Sequence, residues 1–188
     1  NELVELAMHG ERVASGAKHA DNIAPCVLGG FTLVRSVEPM DVISIDFPAL
    51  FATVIHPQIE VKTSYAREIL PTEVSLKTAI KQWANVGSLI AGLQRGDYDL
   101  IARSLEDFIV EPIRKSLIPR FDELKFESLN AGALGGGISG AGPSVFMFSE
   151  NLETAHKVKE AMSSVYHQTE IEFNIYVSPI NSNGVVCL

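Results

Sequence analysis

The chain has 188 residues, 46% hydrophobic and 20% charged, with a formal net charge of −8. That is enough chain for one moderate domain with a real core, and the composition is that of a soluble globular protein. The acidic balance argues against a nucleic-acid partner, which needs clustered Lys and Arg, and no apolar run nears the roughly 20 residues of a membrane span.

The first residues, Asn1-Glu2, open a polar-apolar helical pattern, not a secretory signal, and without a starting Met a processing boundary is expected there. Helix is expected over 1–14, with Leu3, Leu6, Ala7 and Met8 or Gly10 on one face. Ser15-Gly16 breaks it. A polar segment, Lys18 to Asn22, leads through Ile23-Ala24-Pro25 to the double glycine Gly29-Gly30 and a strand from Phe31 to Arg35. Short β-branched runs at 42–46 and 52–56 read as strands separated by Pro48. Residues 63–69 form a helical turn or loop ended by Pro71. A long helix is marked by Leu76, Ile80, Trp83, Gly87, Ile90 and Leu93, with Trp83 expected in the core.

Further helices are expected over 97–110, closed by Pro112, and over 119–130, with Phe121, Leu124 and Leu129 inward. Residues 132–143 are glycine-rich and 144–148 a strand. Leu152, Ala155, Val158, Met162 and Val165 define a last amphipathic helix, followed by a strand at 171–177. The order predicts an α+β fold with helices stacked on one face of a largely antiparallel sheet. Cys26 and Cys187 form no CxxC pair and suit a reducing cytoplasm.

The glycine stretch Gly135-Gly136-Gly137-Ile138-Ser139-Gly140-Ala141-Gly142-Pro143-Ser144 admits several readings. Gly135, Gly137 and Gly140 fit GxGxxG, but a dinucleotide fingerprint needs a strand before and a helix after, and here a strand follows. Gly137-Ile138-Ser139 could begin a nucleophile elbow, but Ala141 takes its final glycine position. A backbone loop presenting N–H groups to an anion is a third reading, and a plain tight connection a fourth.

The run Lys18-His19-Ala20-Asp21-Asn22 puts a histidine, a carboxylate and an amide within four residues. Asp21 or Asn22 could simply cap a helix starting at Ile23. The i,i+2 spacing of His19 and Asp21, with no Cys/His cluster near, makes a poor metal site. Glu11 by itself is a solvated helix glutamate. Thr63 and Arg67 are i,i+4 and face the same way on a helical turn. Arg67 and Arg114 suit a carboxylate or phosphate, or a surface pair with a nearby acid such as Glu68.

Taken in order, HADNIAPCVLGGF, TSYAREILP, EPIRKSLIPRF and GGGISGAGPSVF resemble the homoserine kinase family of the GHMP superfamily, over nearly the whole chain. The last resembles the third conserved motif of the superfamily; the first resembles the substrate segment peculiar to homoserine kinases. The family's ATP phosphate loop has no counterpart, so a fragment is expected that lacks the N-terminal domain and has little activity alone. The resemblance implies a remnant of that domain at 1–37 and a ferredoxin-like GHMP C-terminal domain at 38–188.

It further implies ATP-dependent phosphorylation of L-homoserine in threonine biosynthesis, with Glu11 helping to hold Mg²⁺ and Asn22 near the transferred phosphoryl group. His19 and Asp21 would contact the amino acid, Arg67 and Arg114 its carboxylate, and Thr63 the reacting hydroxyl. Gly137, Ser139, Gly140 and Gly142 would serve the nucleotide site. Partners beyond substrates would be the N-terminal domain and, through exposed strand edges, a second copy. The alternatives are another GHMP kinase, of the mevalonate or diphosphocytidyl-methylerythritol type, disfavoured by Asn22 in place of an aspartate, or an independent ferredoxin-like binding module.

Overall fold

The computed structural model describes residues 2–15 and 20–186, with the side chains of 11–15 outside the description. The chain divides into two compact units, Asn1–Pro48 with Ile180–Leu188, and Ala49–Pro179.

In the first unit, helix α1 spans Glu2–Ser15 and α2 Ala20–Leu28. Strands β1, Phe31–Val37, and β2, Met40–Ile45, pair antiparallel. Val4 and Met8, i,i+4, are the buried positions of α1, whereas Leu3 and Leu6 are exposed. The expected face of α1 is therefore rotated by about one residue. Helix α2 takes in Ala20 to Asn22, part of the polar lead-in, and carries Pro25 inside. The double glycine is there for clearance. A Cβ on Gly29, at φ +79°, would lie 2.6 Å from the Ser182 carbonyl oxygen, and the Gly30 N–H donates to the Asn181 carbonyl at 2.7 Å. The last described residues run past this point with Val185 N–H donating to Val27.

In the second unit, β3 is Phe51–Pro57, α3 Thr63–Glu68, α4 Leu76–Arg95, α5 Tyr98–Ser104, α6 Glu111–Arg114 and α7 Phe121–Asn130. Then follow β4, Gly135–Ile138, β5, Val145–Ser149, α8, Leu152–His167, and β6, Phe173–Pro179. The sheet has the order β4-β5-β3-β6 with every pairing antiparallel. This is an α+β fold.

One face of the sheet carries the core. Ile55, Val145 and Met147 meet Phe121 and Leu124 of α7 and Val158, Met162, Val165 and Tyr166 of α8. Burial of such side chains contributes about 1.5–3 kcal/mol each. Two polar groups in it are satisfied: the buried Thr53 hydroxyl donates to the Ala155 carbonyl at 3.1 Å, and Tyr166 donates to Pro119 at 2.9 Å. Burial raises the Tyr166 phenol to about 12.

Helix ends follow sequence chemistry. Ser75 accepts from Thr78 N–H to start α4, and Gly96, at φ 64°, ends it in the left-handed conformation. Asp97 caps α5 and Asn151 caps α8.

Several expectations are corrected. Trp83 is not core: it is 64% exposed, with Leu76 and Ile80 also exposed on the same helix. The inward residues of α4 are Ala79, Gly92 and Leu93. Leu129 is exposed and Ser128 is buried instead, and Leu152 is likewise exposed. The helix expected over 97–110 ends at Ser104, because the Asp107 carboxylate draws in the N–H groups of Ile109, Val110 and Glu111 at 2.7, 2.9 and 3.2 Å. Such a local acceptor competes with helix continuation and starts the next turn, α6. Strand β4 lies where only a glycine-rich connection was expected.

Candidate active site

The glycine-rich stretch is partly strand and partly loop. Gly136 and Gly137 pair with Met147 and Phe146 in the β4–β5 ladder. A Cβ on Gly136 would come within 1.9 Å of the Phe146 carbonyl oxygen, so only glycine allows this approach. Residues 139–144 form the loop proper. Its neck is closed by Ser139 N–H donating to the Ser144 carbonyl at 2.8 Å, and Gly142 N–H turns back to the Ser139 carbonyl at 3.0 Å. Gly140 and Gly142 take φ of +59° and +86°. With strands on both sides, the loop is a hairpin connection and not a dinucleotide fingerprint.

Arg114, at the end of α6, reaches two other stretches. Its Nε donates to the Ala66 carbonyl in α3 at 2.8 Å and its Nη1 to the Gly140 carbonyl at 3.1 Å. Three segments distant in sequence are thereby fastened together: α3, α6 and the glycine loop. Thr63 opens α3 and Arg67 lies one turn later, both exposed. Ser139 at the neck of the loop and Gly140 beyond it are exposed, while Gly137 is buried in β4 and faces Glu111, whose Oε2 is 2.7 Å from where its Cβ would be.

Glu111 pairs with Lys125 of α7, both side chains being largely shielded. Burial raises the Glu111 carboxyl above its ordinary value, the Lys125 ammonium opposes that, and Asp107 and Asp122 add to the rise. Glu111 borders a cavity of about 290 Å³ lined also by Gln82, Val86, Leu89, Ile138 and Phe146.

Asp21 and Asn22 occupy the first turn of α2 and are exposed. His19 and the side chain of Glu11 lie outside the described residues. Among the described residues, no group of three or more His, Cys, Asp and Glu side chains could hold a metal ion. No helix among them is long and apolar enough to cross a membrane.

Four residues of this region escaped the reading of the sequence. Glu111 stands in the EPIRK stretch but was passed over for its arginine. Lys125 has no local signal. His56 and Ser144, whose side chains lie 2.8 Å apart, looked like the ends of two strands.

Residues 89–168 match the family described as GHMP kinases C terminal. The chain is 50% identical to a homoserine kinase of Chlorobium phaeobacteroides over its whole length, covering 59% of that protein. It is 52% identical to a homoserine kinase of Chlorobaculum tepidum, with 97% of this chain and 57% of that protein aligned. The crystal structure of homoserine kinase from Cytophaga hutchinsonii superposes with a TM-score of 0.94 at 51% identity, over 97% of this chain and 58% of the other. The chain thus spans less than two thirds of the length of these relatives.

Proposed function

We infer that this chain, which carries the C-terminal domain of the GHMP kinases, is the acceptor-binding part of an enzyme that transfers the γ-phosphoryl group of ATP to the hydroxyl of L-homoserine. The observation that carries the reading is the bridge made by Arg114 between Ala66 and Gly140. It sets a guanidinium beside the helix of Thr63 and Arg67 and against a glycine loop, as a carboxylate-bearing alcohol facing a phosphoryl donor would require. The homoserine kinases at about half identity support the choice of alcohol.

L-Homoserine is a zwitterion with a primary hydroxyl. Its carboxylate calls for a planar guanidinium, and such charge-assisted bonds are about twice as strong as neutral ones. A guanidinium has five N–H donors, and the carbonyls of Ala66 and Gly140 engage two groups of that fork in Arg114. Arg67 and the remaining face of Arg114 would hold the carboxylate, Asp21 and His19 the rest of the amino acid, and Thr63 the hydroxyl. Held so, the hydroxyl oxygen forms its bond to phosphorus as the bond to the bridging oxygen of ADP breaks. Asn22 is an amide and takes no proton. In a loose, anionic transition state the hydroxyl proton leaves late, passing to an oxygen of the transferred phosphoryl group and from there to water, so positioning and charge stabilisation carry the step.

The backbone N–H groups of Gly140 and Ala141, between the two internal hydrogen bonds of the loop, would face the donor's phosphates. Glu11 is proposed as the Mg²⁺ ligand, the ion supplying charge neutralisation on those phosphates. The division at residues 37 and 38, the N-terminal domain, threonine biosynthesis and a cytoplasmic setting belong to the same proposal. Its test is substrate-specific: in the full-length protein, Arg67→Ala should raise KM for homoserine at least tenfold while KM for ATP stays within twofold. Equal changes in both constants would contradict the assignment of this arginine to the amino acid.

A further inference from the structure

The glycine loop needs an anchor. Gly140 and Gly142 sit at positive φ, and glycine backbone loses more freedom on ordering than any other residue. A loop that offers N–H groups to developing charge must nonetheless be held still before the reaction. Arg114 supplies one restraint at Gly140. The other lies at the opposite end of the loop. The β3–β5 ladder ends at the pair Ile55 and Val145, so the register passes beyond its last rung at His56 and Ser144. There a side-chain bond continues it: His56 Nδ1 lies 2.8 Å from Ser144 Oγ. The His56 backbone is itself fixed from the other side, paired with Asn174 of β6. Ser144 is also the residue whose carbonyl closes the neck of the loop by accepting from Ser139 N–H.

We propose that His56 is a positioning residue for phosphoryl transfer: through Ser144 it holds the Ser139–Gly142 backbone in the conformation that meets the phosphoryl donor. The inference rests on the kinase reading for its function, and on the geometry alone for the loop. His56 itself touches no reacting atom.

Nδ1 is two bonds from Cβ. The side-chain amide of Asn places an oxygen or nitrogen at the same remove, whereas Gln places it one bond farther. His56→Asn should therefore retain the anchor, and His56→Gln and His56→Ala should lose it. Ser144→Ala removes the same bond from its other end with a smaller change in volume, which guards against misfolding of the histidine variants. Hydrogen exchange of the Ser139 and Gly142 amides, which donate within the loop, and steady-state kinetics are measured on the full-length protein. His56→Ala and Ser144→Ala should each accelerate exchange about tenfold, the scale of one hydrogen bond. They should lower kcat by a similar factor with KM for homoserine within twofold, and His56→Asn should restore both. Unchanged exchange in both variants overturns the proposal, as does faster exchange with wild-type kcat. If the wild-type protein does not turn over homoserine, the kinase reading fails, and exchange alone decides whether His56 anchors the loop.

Discussion

Arg114 Nε donates to the carbonyl of Ala66 at 2.8 Å, the residue next to Arg67 in the chain. The same guanidinium donates to Gly140, so its loss loosens both α3 and the glycine loop. In the full-length protein Arg114→Ala should lower kcat and raise KM for homoserine, with kcat/KM down about 100-fold. That is the scale of one or two hydrogen bonds to a charged group at about 1.5–3 kcal/mol each. Arg114→Lys should not rescue, because a point ammonium cannot span two carbonyls as a planar fork does. Arg67→Ala should move mainly KM. Identical kinetic profiles for the two arginine variants would contradict this division of labour.

Glu111 should titrate above its ordinary 4.5, mainly because burial disfavours its charged form. Since the folded state then holds the proton more tightly than the unfolded state, this carboxyl stabilises the fold below about pH 4.5. That contribution is lost as pH rises through the folded value. The stability difference between wild type and Glu111→Gln should fall across that window and be flat above it. Carboxyl-carbon NMR should place the midpoint above 4.5, and Lys125→Met should push it higher, since the lysine is what opposes the rise. A midpoint at or below 4.5 would show that the ion pair outweighs burial.

Gly136→Ala should destabilise the fold by about 3 kcal/mol in denaturant titrations, the upper range for overpacking. Its Cβ would meet the backbone of Phe146 and Met147 at 1.9 and 2.7 Å, where no side-chain motion can relieve it.

Trp83→Ser should change stability by less than about 0.5 kcal/mol, as surface substitutions do, whereas a core tryptophan would lose about 3–5 kcal/mol on truncation. Trp83 is the chain's one tryptophan, so emission of this chain reports it directly and should be that of a hydrated indole.

The long helix illustrates how far periodicity reaches. Leu76, Ile80 and Trp83 do share a face of α4, as their spacing requires, but spacing gives no direction, and the buried residues are Ala79, Gly92 and Leu93. Strand β4 was hidden because Gly135-Gly136-Gly137 has no side chains to alternate; its register comes from Phe146 to Phe148 on the neighbouring strand. Helix α2 was obscured by its polar first turn and Pro25. The sequence marked Arg114 and the glycine run as residue types restricted by chemistry, and the fold joins them through the Gly140 carbonyl. Glu111 with Lys125 and His56 with Ser144 were not legible, since each pair meets only through the fold, 14 and 88 residues apart.

The most direct test is the formation of O-phospho-L-homoserine from L-homoserine and ATP by the full-length protein, followed by product NMR beside a mevalonate control. The result expected is ATP-dependent phosphorylation of homoserine at the side-chain hydroxyl and little turnover of mevalonate. Phosphorylation of mevalonate with none of homoserine would contradict the acceptor assigned to Arg67 and Arg114.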